Sequence, residues 1–128
     1  MKTILAIDDD PAITTYLSRL LKKIGYNPIV ANSCADGIAK ASDPGVDAVI
    51  ADILLPDSPK PREWIVRLHE AVKQKPILLI SGAPDAQLEA FAVQNGVVAL
   101  LSKPFELAFI KSLLNEIFTD TSKTDDHK

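Results

Sequence analysis

Five short apolar runs punctuate the chain at residues 4–7, 29–31, 48–51, 77–80 and 97–101. They are rich in Ile and Val and too short for buried helices, so each predicts a strand. Their apolar character is continuous rather than alternating, as in strands covered on both faces. Helical spacing fills the intervals. Ile13, Tyr16, Leu17, Leu20, Leu21 and Ile24 fall on one face of a first helix. Asp10 suits its N-cap, Pro11 its first turn and Gly25 its end. Ser33 and Asp36 form a capping-box pattern for a shorter second helix with Ala35, Ile38 and Ala39 inward. Trp64, Ile65, Leu68, Ala71 and Val72 mark a third helix. A fourth runs from about Pro84 to Asn95, closed by Gly96, and a fifth carries Phe105, Phe109, Ile110, Leu113, Leu114 and Ile117. The alternation is (βα)5, an α/β doubly wound fold with a five-stranded parallel sheet and helices on both faces. Residues 119–128 hold no apolar side chain larger than a Thr methyl and are expected to form a disordered C-terminal tail after a domain at 1–118.

Composition narrows the chemistry. At 128 residues the chain makes one domain, large enough to bury a core without covalent staples. The lone Cys34 excludes an internal disulfide framework and a cysteine zinc site, and two histidines, His69 and His127, are too few for a His-ligated metal. A net charge of −3 argues against a nucleic-acid surface. No apolar run spans a membrane, and the N-terminus leads directly into the first strand without a signal-peptide pattern, so the expected compartment is cytoplasmic.

In an open parallel sheet the site lies beyond the carboxyl ends of the strands. The first strand ends in Asp8-Asp9-Asp10, the third in Asp52, the fourth in Ser81 and the fifth in Ser102-Lys103-Pro104, while the second ends in Ala31-Asn32 with no evident chemistry. Clustered carboxylates raise one another's pKa unless a cation offsets them. One Lys cannot balance three Asp, but a hard divalent ion in an oxygen-only site can, which points to Mg2+. A carboxylate beside Mg2+, an ammonium and a hydroxyl is an arrangement for phosphoryl transfer.

Four motifs in order, Ile4-Leu5-Ala6-Ile7-Asp8-Asp9-Asp10-Pro11, Asp52-Ile53-Leu54-Leu55-Pro56-Asp57, Leu79-Ile80-Ser81-Gly82 and Lys103-Pro104-Phe105, resemble the receiver domain of two-component response regulators, in its stand-alone, chemotaxis-regulator-like form. The resemblance implies a flavodoxin-like sheet of order 2-1-3-4-5. It implies Asp52 as phospho-acceptor, with Ser81 and Lys103 contacting the phosphoryl group. Asp9, Asp8 (through water), Asp52 and the backbone carbonyl of Leu54 would hold Mg2+, and the Lys103-Pro104 bond would be cis. The implied function is phosphorelay signalling. A histidine kinase or histidine phosphotransfer protein phosphorylates the domain, which then switches a surface read by a downstream protein. The implied chain is no turnover enzyme beyond autophosphatase activity, and it binds neither nucleic acid nor membrane directly.

Two other readings compete. Asp8-Asp9-Asp10 also fits the first motif of haloacid dehalogenase-like phosphatases, although Ala12 stands where a Thr or Val is usual and no acidic pair follows Lys103. A phosphorylation-independent adaptor on the same fold is the third. It draws on departures from the family pattern: Leu100 replaces the usual aromatic residue three positions before the Lys, and Pro56, Pro59 and Pro61 stiffen the loop after Asp52. Without the aromatic ring, the segment 82–95 is the expected moving element. Asp10 reads as a cap, Asp57 as a turn residue, Tyr16, Tyr26 and Trp64 as packing, Cys34 as a helix-start residue, and His69 as solvated.

Overall fold

The computed structural model describes residues 1–57, 60–73, 75–82, 85–103 and 107–126. Five strands, β1 (Thr3–Ile7), β2 (Asn27–Ala31), β3 (Ala48–Asp52), β4 (Ile77–Ser81) and β5 (Ala99–Ser102), alternate with five helices. These are α1 (Pro11–Lys23), α2 (Cys34–Ala41), α3 (Pro61–Val72), α4 (Ala86–Gln94) and α5 (Leu107–Asp126). The strands are parallel and ordered β2-β1-β3-β4-β5.

Alternate residues of each strand feed two cores. Leu5, Ile7, Val49, Ala51, Ile77 and Leu79 pack with Cys34 and Ala41 of α2, Trp64, Ile65, Leu68 and Val72 of α3, and Ala92 of α4. Ile4, Ala6, Ala48, Ile50, Leu78 and Ile80 pack on the other face with Leu17, Leu20 and Leu21 of α1 and Ile110 and Leu114 of α5. Burial of each Val, Leu or Ile side chain among them is worth about 1.5–3 kcal/mol. Both faces of the central strands are covered, which is why they read as unbroken apolar runs.

Several local expectations are corrected. In α2 the buried residues are Cys34, Gly37 and Ala41, while Ala35 and Ala39 face solvent. A Cβ at Gly37 would lie 2.7 Å from Ile7 Cδ1, so the helix rests on β1 through a position that carries no hydrophobic signal. In α1, Thr14 takes a buried place and Tyr16 is exposed. β5 begins at Ala99, not at residue 97, because Val97 belongs to the turn that closes α4: its N–H donates to Ala92 O at 3.0 Å. Gly96, at φ +91, makes that turn possible. The same turn packs on His69, whose Cε1 would lie 2.7 Å from a Cβ at Gly96. His69 is therefore half-buried rather than solvated, and its Nδ1 has no hydrogen-bond partner among the described residues. α4 begins at Ala86, after Asp85, whose side chain accepts from Gln87 N. α5 spans Leu107–Asp126, and no Gly or Pro interrupts it. Pro84, Phe105 and the Lys103-Pro104 bond, each given a role above, lie outside the described residues.

The edge strand β2 has its own fastening. Asn27 N–H turns inward to Lys2 O, and Asp8 N–H reaches Ala31 O. Residues 28 and 30 thus face away from β1. Lys40 Nζ of α2 donates to Val30 O at 2.7 Å and pairs with Asp36 at 3.0 Å.

Candidate functional site: an acidic pocket at the strand ends

β1 and β3 lie side by side, and their last register pair is Ile7↔Ala51. That places Asp8 and Asp52 at the same edge, both buried, at 1% and 6% exposure. One oxygen each from Asp8, Asp9 and Asp52 lies within 4.8 Å of the others, and Asp9 faces solvent. Ser81 ends β4 one residue beyond the partner of Asp52 and is itself buried. Lys103 follows β5, its N–H donating to Ser81 O at 2.8 Å. Its Nζ reaches back between the carboxylates, 3.2 Å from Asp8 Oδ2 and 3.0 Å from Asp52 Oδ2. The residues picked from the strand ends therefore meet at one place.

The electrostatics follow from this geometry. Burial raises the Asp8 pKa, opposed by the Asp10 N–H on its Oδ1; the Asp52 charge raises it again and Lys103 draws it down. Burial works against the Lys103 charge, but hydrogen bonds to Asp52 and Asp8 outweigh it and the pKa rises. The pocket holds two buried carboxylates on one ammonium, with a third carboxylate at the rim. It remains short of positive charge, and its donors are all oxygen, which suits a hard divalent cation.

Asn32 and Trp64 bond the main chain of the two buried carboxylates, and Asp57 ties the stretch after β3 to α2. Asn32, just after β2, donates from Nδ2 to the backbone O of Asp8 at 2.9 Å and to Thr14 Oγ1 at 3.2 Å. Trp64, wholly buried in α3, donates from Nε1 to the backbone O of Asp52 at 2.9 Å. Asp57 is more than a turn residue: its carboxylate accepts from Cys34 N at 2.8 Å and Ala35 N at 3.2 Å, capping α2 from 23 residues away. Those N–H groups hold its pKa below the usual carboxylate range. A polar residue one step past a strand could have singled out Asn32; nothing local marks the other two. Burial, with the nearby Asp57 charge, pushes the Cys34 thiol up to about 12, so it stays protonated and unreactive at neutral pH.

Asp57→Ala is expected to lower the melting temperature at neutral pH. A depressed carboxylate contributes stability above its unfolded pKa of about 4, and that contribution disappears as pH falls through the lower folded value. The gap between wild type and variant should close in acid, as thermal melts from pH 7 to pH 3 will show.

A family model described as the response regulator receiver domain matches residues 4–115. The chain belongs to that family. The receiver is 27% identical over 119 residues to the transcriptional regulatory protein TrcR of Mycobacterium tuberculosis, a match that covers 93% of this chain and 46% of that protein. It thus spans under half of that relative's length. Its fold resembles a CheY-like receiver domain protein from Methanospirillum hungatei, with TM-score 0.81, 24% identity, and coverage of 100% and 99% of the two chains. It also resembles a response regulator protein from Burkholderia pseudomallei solved with a phosphorylated aspartic acid and a calcium ion, with TM-score 0.78, 23% identity, and coverage of 99% and 72%. A receiver is a phospho-acceptor signalling module rather than a classical enzyme, and its acidic cluster is typical of a receiver metal site. Among the described residues no helix is long and apolar enough to cross a membrane.

Proposed function

We propose that the receiver takes a phosphoryl group on Asp52 from a histidine kinase or a histidine phosphotransfer protein, with Mg2+ as cofactor. The observation that carries this is the Lys103 ammonium held between Asp8 and Asp52, beside Asp9, at the end of the central strands. A carboxylate oxygen of Asp52 attacks phosphorus as the donor's N–P bond breaks, and the imidazole leaves with a proton. Lys103 offsets charge on the phosphoryl oxygens, and the Ser81 hydroxyl donates to one of them. Asp8, Asp9, Asp52 and the Leu54 carbonyl are the groups that would hold Mg2+, which supplies positive charge to the transferring phosphoryl group. The aspartyl phosphate then alters a surface for a downstream protein, and its slow hydrolysis resets the domain. α4 fully buries only Ala92 among its described residues, which makes it a loosely held element for that change.

Mg2+ is expected to bind in the millimolar range and raise the melting temperature. At ten times its dissociation constant it adds about 1.4 kcal/mol. Asp9→Ala should abolish the shift without unfolding the exposed rim it leaves. A melting temperature indifferent to Mg2+ would refute the metal assignment. The deciding test of function is incubation with a small phosphodonor and Mg2+, followed by peptide mass spectrometry for one phosphoryl group on Asp52. A covalent adduct elsewhere, or none, rejects the reading. Steady hydrolysis of the donor, lost in Asp8→Asn and kept in Asp52→Asn, would favour the phosphatase alternative.

A further inference from the structure

We propose that Trp64 is a positioning residue for the phospho-accepting carboxylate, an inference that rests on the reading of Asp52 above. The Asp52 carbonyl lies one residue beyond the last β1–β3 pair, Ile7↔Ala51. The next N–H of β1, that of Asp8, points to the opposite neighbour, donating to Ala31 O of β2. Although β4 still pairs Asp52 with Ile80, the carbonyl at the base of the acceptor is thus past the register with β1, and the indole N–H of Trp64 meets it at 2.9 Å. The indole is a donor only, and at 0% exposure it has no access to water. It sits early in α3, whose first turn is closed by Trp64 N–H on Lys60 O.

This one bond fixes the plane of the peptide that joins Asp52 to Ile53. The same short stretch carries the Leu54 N–H, which holds Asp52 Oδ1 at 3.1 Å, and the Leu54 carbonyl assigned to the metal. Lys103 holds the other carboxylate oxygen at 3.0 Å. Trp64 therefore sets the main-chain end of a carboxylate whose two oxygens are aimed by Leu54 and Lys103. If the peptide rotates, Leu54 shifts and the acceptor loses its aim, whereas the core contacts of the ring alone would not orient it.

Two variants separate orientation from packing. Trp64→Phe removes the N–H and some volume. Trp64→benzothienylalanine replaces the N–H by sulfur at nearly constant shape. Phosphorylation by a small phosphodonor and Mg2+ binding by titration calorimetry are measured well below each melting temperature. Both variants are expected to phosphorylate about tenfold more slowly and to bind Mg2+ about tenfold more weakly, the usual scale for losing an outer-shell partner. The isosteric variant should do so while melting close to wild type. Wild-type rate and Mg2+ affinity in the isosteric variant would overturn the proposal, even if Trp64→Phe were slow, because volume would then be the cause. Failure of the wild-type protein itself to take phosphate on Asp52 would instead overturn the acceptor reading, and this proposal with it.

Discussion

Asp52→Asn should take up no phosphoryl group under any donor or Mg2+ concentration, while its stability stays at or above that of wild type. The amide nearly matches the carboxylate in shape but is a poor nucleophile. The contacts that hold residue 52 survive the change: Trp64 binds its main-chain carbonyl, and Leu54 N–H can still bond a side-chain oxygen. What disappears is one of two buried negative charges. Asp8 loses the Asp52 charge that helps raise its pKa, and Lys103 keeps Asp8 as a partner. Intact-mass spectrometry and a urea melt check both halves. Labelling of the variant at another side chain would mean that the acceptor has been misassigned, and marked destabilisation would mean that Asp52 is structural.

Lys103→Ala should act in the opposite sense on stability. Asp8 and Asp52 would face each other at 1% and 6% exposure without their shared cation. Breaking a buried ion pair from one side costs about 3–5 kcal/mol. Because the Lys103 side chain is partly solvated, about 2 kcal/mol is the expected loss at neutral pH. The sign with pH is fixed by two groups. Lys103 has a raised pKa, so its contribution is full below its unfolded value of about 10.4 and vanishes as pH climbs through the folded one. Asp8 is also raised, so relative to the unfolded chain it favours folding below about pH 4 and loses that advantage as pH rises through its folded pKa. Without Lys103 that pKa rises further. The variant should therefore recover toward wild type on mild acidification, and also on adding Mg2+, which replaces the missing charge. Urea midpoints at several pH values, with and without Mg2+, test this. Some phosphorylation should persist, with a blunted conformational response.

Much of this was legible in the sequence because parallel strands announce themselves. Residues 48–51 and 77–80 are apolar without interruption since helices cover both their faces, and the polar residues that follow them, Asp52 and Ser81, mark the open edge. Asp8, Asp9, Asp52, Ser81 and Lys103 could be picked by residue type and strand position alone. What the pattern could not yield were contacts made by residues with an ordinary local reading. Asp57 sits among prolines and reads as a turn, yet it caps a helix distant in the chain. Trp64 reads as core, and it is core, but its one polar atom serves Asp52. The inward face of α2 was misread because alanines carry a weak signal and Gly37 carries none, although close approach to Ile7 is what selects it. His69 looked solvated because its burial comes from the Gly96 turn, not from its own helix.

The fastening of β2 bears on how the molecule behaves in company. An edge strand offers its outward N–H and C=O groups to any other extended chain, and this one is a template for intermolecular pairing unless blunted. Of the two outward residues, Pro28 has no N–H to give, and the carbonyl of Val30 is already taken by the Lys40 ammonium. An incoming strand would find half of its partners missing or occupied, and would have to displace a charge to gain a single bond. Crowding at high concentration should therefore not recruit copies of this chain through that side of the sheet, and replacing Pro28 and Lys40 together is the change that would open it to fibrous association.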